Sequence, residues 1–339
     1  MSAAAPSPSQ AIVVRDYTSA DEQATIELLQ RAFGRWPRGV EQLPAPEFFR
    51  WKHHGSPFGA STMLIAELDA APVGFIALMP WRLSFGGRVL ETVRGVDLAV
   101  DPGFRMRGVA MELIGPLRSR YGEHVVLGWS NPNEQSRRGT EKSGRERIEG
   151  VRRFVGLGGA RIPFARRVRP AALPASKRAQ PAQSARVVLE DGELLERVLG
   201  GRRETHAIAT AADAPFLRWR YGHLDGYRAL AVGDHAGRAA LAIFRVRHGR
   251  RGSIAHVCEL LVQDARGALA RRALHAVRRA TRTDLLDVGA LTRSQAFRSG
   301  LVRSPRSNAV TVNPLAAGLE PDPTLSSSWA LSLGDFDLI

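Results

Sequence analysis

One stretch decides the fold of this 339-residue chain: Val100-Asp101-Pro102-Gly103-Phe104-Arg105-Met106-Arg107-Gly108-Val109-Ala110. The apolar run over residues 93–100 leads into it and predicts a strand. Apolar residues at helical spacing follow and predict an amphipathic helix over residues 108–120. A short turn between strand and helix presents backbone amides at the positive end of the helix dipole, which is a site for a pyrophosphate.

The composition of the turn sharpens this prediction. Gly108 has no side chain and Ala110 has a small one, so phosphate groups can approach the amides closely, and Arg105 and Arg107 add positive charge. Glycine-containing turns are common, and an Arg-x-x-Gly-x-Ala string alone is a weak signal. The Val-x-Pro string directly before it, in a strand–turn–helix context, makes the motif more specific.

The overall composition excludes several classes of protein. A content of 44% hydrophobic and 7% aromatic residues is typical of a globular protein and excludes collagen or a coiled coil. Cys258 is the single cysteine, which excludes a disulfide scaffold or a cysteine-ligated zinc site and favours a cytoplasmic location. No apolar run approaches the roughly 18 residues of a membrane span, and we expect no metal site. The net charge of +15 fits either a polyanionic partner or an arginine-rich surface.

The length predicts two domains, and composition suggests where they divide. Residues 1–10 are predicted to be a disordered lead, and residues 11–161 a first α/β domain. Residues 162–185 are rich in Pro, Ala and Arg and are predicted to be a linker. Residues 186–339 are then a second domain.

A faint internal repeat supports two related domains. The chain reads Phe48-Phe49-Arg50-Trp51-Lys52 early and Phe216-Leu217-Arg218-Trp219-Arg220 later, each after Ala-Pro or Ala-Pro-Glu. Where the first copy has the phosphate turn, the second has Gln263-Asp264-Ala265-Arg266-Gly267. An aspartate there would repel a phosphate, so the second copy is predicted to be degenerate.

The strand ending in Val-x-Pro and the following Arg-x-x-Gly-x-Ala resemble the signature of the GNAT superfamily of acyl-CoA-dependent N-acyltransferases. The order of elements over the first 160 residues is similar as well. Three looser matches resemble a tandem-GNAT subgroup associated with polysaccharide biosynthesis: residues 51–59, 131–134 and 329–339. The resemblance implies an α/β fold with mixed sheets, built from two tandem GNAT-like units of which the second is degenerate.

The resemblance also implies acetyl-CoA as acyl donor, with its pantetheine arm lying along the motif strand as an extra strand. When the family's site is placed on the matching positions of this sequence, the pantetheine arm is lined by Leu98, Ala99 and Val100. The resemblance implies that the diphosphate is held by the residues of the turn: Arg105, Arg107, Gly108, Val109 and Ala110. The implied acceptor is a small polar molecule, such as an amino sugar, whose primary amine attacks the thioester directly in a ternary complex.

An amine that attacks must first lose a proton, so a proton acceptor is needed. Asp97, on the motif strand, is the leading candidate, and the alternative is that it only pairs with Arg94 or caps backbone. His53 and His54 are further candidates because imidazole titrates near neutral pH. The other interpretation places both histidines in an exposed loop before Pro57, and His53 is also a candidate substrate contact.

The leaving thiolate needs a proton donor. Many members of the superfamily use a tyrosine on the helix after the next strand, and this chain has none there. Ser136 is the remaining candidate, with water as the alternative, and Asn133 is predicted to contact the acceptor. Asn131 is predicted to cap that helix.

Two other functions stay open. A Fem-type aminoacyl transferase also uses tandem GNAT-like domains and takes a tRNA substrate, which the charge would suit, but the diphosphate turn favours CoA. A non-catalytic module that senses acyl-CoA or binds nucleic acid is the second. The predicted linker has Phe164 as its only aromatic residue, so it lacks the interleaved aromatics of single-strand binding. The predicted partner is therefore a small-molecule amine, and nucleic acid is not favoured.

Overall fold

The computed structural model describes residues 11–37, 43–85, 87–120, 124–131, 145–159, 182–200, 207–250, 252–263, 267–305 and 308–336. Within these ranges the chain forms two mixed β-sheets covered by helices. The mixed α/β fold class predicted from the sequence is confirmed.

The first sheet has the strand order β1-β2-β3-β4-β5-β15-β6, and β9 pairs with β3. Its strands are β1 (Val13–Asp16), β2 (Thr62–Leu68), β3 (Ala71–Phe85), β4 (Arg88–Val100), β5 (Leu127–Ser130), β6 (Glu146–Val151), β9 (Ala209–Thr210) and β15 (Asn308–Pro314). Along this path only β4 and β5 are parallel.

The second sheet has the strand order β8-β10-β11-β12-β13-β7-β14. Its strands are β7 (Arg153–Leu157), β8 (Gln183–Ser184), β10 (Arg228–Gly233), β11 (Ala239–Gly249), β12 (Gly252–Val262), β13 (Leu285–Gly289) and β14 (Val302–Arg303). Here β12 and β13 are the parallel pair.

The α-helices cover both sheets. They are α1 (Glu22–Phe33), α2 (Ala45–His53), α3 (Val109–Ile114), α4 (Ala185–Val188), α5 (Gly192–Gly200), α6 (Ala214–Leu217), α7 (Ala268–Thr281), α8 (Arg293–Arg298) and α9 (Leu333–Phe336). A π-helical turn, Arg218–Gly222, continues α6. The longest helix has 14 residues, and none in the described ranges combines the length and apolarity that crossing a bilayer requires.

The two sheets repeat one strand order and exchange one strand. Strand β15, from late in the chain, lies between β5 and β6, and β7 takes the matching place between β13 and β14. A division at residues 161 and 186 therefore does not separate the sheets. Residues 183–185, predicted as the end of the linker, form β8 and begin α4. The boundaries between domains stay a prediction.

A shared core joins the sheets, because one buried hydrophobic cluster contains residues from both halves of the chain. At its centre the rings of Trp51 and Trp219 stack with centroids 5.1 Å apart. Each indole Nε1 donates a hydrogen bond to the backbone carbonyl of the other tryptophan, at 3.0 Å. A reciprocal contact of this kind is the mark of a two-fold relation, here between two halves of one chain.

Helix α3 packs on the opposite face of the first sheet. Val109 and Leu113 are 1% and 0% exposed. Gly74 on β3 permits this close approach, because a Cβ there would lie 2.6 Å from Val109 Cγ1. The turn before α3 is thereby held against the end of β4.

Candidate functional site

Strands β4 and β5 form a wedge-shaped opening, which we call the first split. They pair only where Thr92–Arg94 lies beside Leu127–Trp129. Beyond Arg94, β4 continues along β3 as far as Val100, and no pairing with β5 continues in the described residues. The β5-facing edge of Gly95–Val100 therefore carries backbone groups that can pair with an added extended chain.

A β-bulge lies inside the first split. Phe75 pairs with Ala99 and Ala77 pairs with Val96, so Asp97 and Leu98 together lie opposite Ile76. Asp97 has a φ of +52°, in the left-handed region. Bulges bend a strand and redirect its side chains. This one directs Asp97 towards α2.

The turn that follows β4 is stabilised by its own side chains. The Asp101 carboxylate accepts a hydrogen bond from the Gly103 amide at 3.0 Å. Gly108 has a φ of +87°, which favours glycine, and α3 begins at the next residue. Arg105 donates to the Ala32 carbonyl at 2.7 Å, and the Arg107 guanidinium lies 5.4 Å from the centre of the Phe104 ring.

The residues predicted to hold acetyl-CoA form one continuous strip along β4 and this turn. Arg105, Arg107 and Gly108 are exposed. Ala99 and Val109 are 1% exposed and belong to the cores on either face of the sheet, so only their backbone is available to a ligand. The remaining three are partly buried: Leu98, Val100 and Ala110. Their role in binding a donor stays a prediction.

Asp97 is the centre of a buried polar cluster. Its Oδ2 lies 2.7 Å from Lys52 Nζ and 3.1 Å from His53 Nε2. His53 Nδ1 lies 3.2 Å from Ser61 Oγ. The side chains of Lys52 and His53 are 1% and 0% exposed, whereas that of Asp97 retains 8%. The end of α2 and the bulge in β4 together bring these groups into contact.

The electrostatics of the cluster favour a charged Asp97. Burial would raise its pKa, but the Lys52 ammonium and the His53 hydrogen bond outweigh burial and hold the pKa of Asp97 well below its usual range. Burial lowers the pKa of both Lys52 and His53, against the opposing effect of Asp97. A neutral His53 and a carboxylate that resists protonation follow from this arrangement.

Arg94 does not pair with the Asp97 side chain as one interpretation of the sequence had it. It lies between the rings of Trp81 and Trp129, 5.1 and 4.6 Å from their centres. One guanidinium nitrogen donates to Asn131 Oδ1 at 2.7 Å and to the backbone carbonyl of Asp335. Burial lowers the pKa of Arg94 to about 9.

The interpretation of His53 as an exposed loop residue is wrong, because it is the last residue of α2 and is fully buried. Lys52 was missed as part of the site. The signal for it was the internal repeat, in which Lys52 and Arg220 each directly follow the repeated tryptophan. Lys52 and Arg220 are both buried in the structure, so these two cations are not ordinary surface charges.

Two predicted residues, Asn133 and Ser136, lie outside the described residues. Asn131 is described, and its side chain accepts the hydrogen bond from Arg94. Across the ranges that the structure describes, no three His, Cys, Asp or Glu side chains converge as a metal site would require.

Comparisons with known proteins agree with this geometry. Residues 23–144 match the model of the acetyltransferase (GNAT) family, a segment that includes α2, the first split and the turn. A search among curated proteins found no match.

Solved structures with a similar fold cover most of the chain. A GCN5-related N-acetyltransferase from Anabaena variabilis is 14% identical, with a TM-score of 0.65, over 90% of this chain and 73% of its own. A probable N-acyltransferase of unknown function from Enterococcus faecalis is 14% identical, with a TM-score of 0.62, over 90% and 72%. A GCN5-related N-acetyltransferase from Kribbella flavida is 15% identical, with a TM-score of 0.60, over 90% and 71%. The chain therefore has the fold of GCN5-related N-acetyltransferases, and its segment 23–144 carries the sequence pattern of the GNAT acetyltransferase family.

Proposed function

We propose that this protein transfers an acetyl group from acetyl-CoA to the primary amine of a small polar acceptor, such as an amino sugar. The observation that carries the proposal is the edge of β4 beyond Arg94, which is open as far as the structure describes the chain. This edge is continuous with the glycine turn that precedes α3. The family match over residues 23–144 supports acyl transfer as the class of reaction.

The residues present fit an acyl-CoA donor. The edge of Gly95–Val100, which no strand pairs with among the described residues on the β5 side, suits the amide groups of a pantetheine arm. A Cβ placed on Gly108 would meet nothing within 4 Å, so the space in front of this turn is open. Arg105 and Arg107 lie at its mouth and attract phosphate charge.

The donor supplies a thioester carbonyl, and the acceptor nitrogen forms a bond to its carbon while the carbon–sulfur bond breaks. The acceptor gives up protons, and the released thiolate takes one. Asp97 is held ionised by Lys52, so it binds and orients the acceptor's ammonium group by charge. Because the pKa of Asp97 is depressed, the proton passes on to water rather than staying on the carboxylate. Ser136 remains the proposed donor to the thiolate, and Asn133 remains a proposed contact of the acceptor. The side chain of His53 is 0% exposed, so it acts on the acceptor only through its contact with Asp97.

The test is release of free thiol from acetyl-CoA across a panel of amines, together with donor binding measured by thermal shift. Arg107→Glu reverses a charge at the mouth of the turn and should weaken donor binding at least tenfold. Arg279→Glu, on the exposed side of α7, is the matched control and should bind as the wild type does. Equal donor binding by both variants would overturn the donor site.

A second function, binding of acyl-CoA without catalysis, is favoured by one observation. Asp97 is ion-paired with the buried Lys52 at 2.7 Å, and this pairing makes its carboxylate a poor proton acceptor. The same experiment separates the two functions, because a sensor binds the donor and releases no thiol with any amine.

A further inference from the structure

The second sheet contains a counterpart of the first split. Strands β12 and β13 pair in parallel as far as Val257 and Val288, and β12 then continues along β11 to Val262. The register of β12 against β11 shifts between Val257 and Glu259, as the register of β4 shifts at its bulge. We call the opening beyond Val257 the second split.

The second split is filled by the chain itself, through residues 329–336, which we call the 329–336 segment. A Cβ on Gly289, the last residue of β13, would lie 2.9 Å from the Leu331 carbonyl oxygen and 3.0 Å from the Leu333 nitrogen. A Cβ on Gly334 would overlap the Tyr221 hydroxyl and lie 3.1 Å from the Cys258 carbonyl oxygen. The segment is therefore wedged between the ends of the two parted strands.

Polar contacts hold the segment in place. Ser332 Oγ donates to Glu259 Oε1 at 2.8 Å, and the same carboxylate accepts from the Tyr221 hydroxyl at 2.7 Å. Arg220 donates to the Gly334 carbonyl at 3.2 Å. Glu259, Tyr221 and Arg220 stand where the first half has Asp97, His53 and Lys52. In the second half, the segment thus contacts the groups that match the candidate site of the first.

We infer that the second half is a peptide-binding unit whose ligand is the 329–336 segment, and that this peptide takes the place of an acyl-CoA. The segment is buried like a core element, since Leu331 and Asp335 are 0% and 2% exposed. A glycine on each side, Gly289 on β13 and Gly334 in the segment, permits the close approach of backbone to its neighbours. Ser332 donates a hydrogen bond to Glu259, the residue that matches Asp97 in the repeat. Under the proposed function, the polar group of the acceptor makes the corresponding contact with Asp97.

The segment also reaches the first split. Its Asp335 carbonyl accepts a hydrogen bond from Arg94, the last residue of β4 that pairs with β5. Among the described residues, Arg94 Nε and Nη1 are buried without a hydrogen-bond partner, so this carbonyl is one of few acceptors for a fully buried cation. Loss of the segment therefore removes a restraint at the apex of the first split and weakens donor binding there.

The first experiment shortens the chain to end at Ala330 and supplies residues 331–339 as a labelled peptide. One peptide per chain should bind the shortened protein, raise its melting temperature and restore its affinity for acetyl-CoA. The full-length protein should not bind the peptide. A folded, shortened protein that ignores the peptide, or a full-length protein that binds it equally well, overturns the inference.

A second variant covers the outcome in which the shortened chain does not fold. In the full-length protein, Gly334→Ala adds a methyl group that overlaps the Tyr221 hydroxyl, so it loosens the attached segment and leaves the site itself unchanged. This variant should melt several degrees lower than the wild type and admit the labelled peptide, whose own glycine still fits. Gly192→Ala is the matched control, because a Cβ there meets nothing within 4 Å. Equal melting temperatures for the two variants, with the peptide excluded from both, overturn the inference. Peptide binding needs no acyl-CoA, so a failure of the proposed function would leave this readout intact.

Discussion

At the residue scale, the buried Lys52–Asp97 ion pair has a structural role beside the functional role that we propose for Asp97. Both groups are taken out of water, and burying an ion pair costs about as much as its attraction returns. Removing one partner is costly, because the other charge then stays buried without this counter-charge. A loss of activity in a single variant therefore does not by itself identify Asp97 as a functional residue.

A pair of variants separates the two roles. Asp97→Asn should lower the free energy of unfolding by about 3–5 kcal/mol, because the Lys52 ammonium loses its counter-charge. The double variant Asp97→Asn/Lys52→Met removes both charges and should regain most of that stability. Chemical denaturation measures stability, and steady-state kinetics measures turnover. If the double variant recovers turnover along with stability, Asp97 does not act on the acceptor.

His53 predicts a dependence of stability on pH. Burial lowers its pKa in the folded protein, whereas the unfolded chain has an ordinary imidazole with a pKa of about 6.5. Below that pH the unfolded state binds a proton that the folded state does not, so stability falls as the pH falls, by up to about 1.4 kcal/mol per pH unit. His53→Gln should flatten this slope between about pH 6.5 and 5. Chemical denaturation of the two proteins across this pH range measures the slope, and equal slopes would contradict a buried, neutral His53.

At the scale of elements, the contact between α3 and β3 positions the phosphate turn. Gly74→Ala would bring a methyl group within 2.6 Å of Val109 and 2.9 Å of Leu113. It should cost about 1–3 kcal/mol of stability by overpacking and raise the dissociation constant for acetyl-CoA by moving the turn. Gly115→Ala, at the end of the same helix, meets no atom within 4 Å and should alter neither quantity. Unchanged donor binding by a folded Gly74→Ala protein would show that the turn does not depend on this contact.

Local elements were predictable where the signal is local. Gly34, with a φ of +72°, ends α1, and a glycine after an amphipathic run is a local signal for the end of a helix. The helix predicted over 108–120 is α-helical only to Ile114 and then becomes a 3₁₀ helix, Gly115–Arg120, which contains Pro116. The bulge at Asp97 was not predictable, because period-two alternation carries no mark of an inserted residue. That bulge places Val96 and Asp97 towards the same core, whereas strict alternation along a strand puts neighbouring residues on opposite faces.

At the scale of the whole molecule, the exchange of β7 and β15 interlocks the halves. A fragment of residues 1–165 lacks β15, which lies between β5 and β6, and a fragment of residues 180–339 lacks β7. We expect neither fragment to unfold cooperatively alone, and the two expressed together to form a one-to-one complex. Size-exclusion chromatography and thermal denaturation test this. A first fragment that melts cooperatively by itself would contradict the exchange.

The repeat in the sequence predicted a second α/β unit of the same kind, and the strand orders agree. The exchange itself was not predictable from the sequence. A strand has the same length, the same alternation of apolar and polar residues and the same flanking turns in either sheet. Only its neighbouring strands differ, and the sequence does not record them. Contacts such as that between Trp51 and Trp219 depend likewise on residues 168 positions apart.

The interlocking of the sheets bears on how the chain is made at the ribosome. Strands β1 to β6 are synthesised first, but the gap between β5 and β6 is closed only when β15, residues 308–314, has been made. During translation the edges of both strands remain open to other chains, which is a hazard for aggregation. The first half therefore completes its fold only after residues 308–314 have been made, and slow translation or premature release exposes it for longer.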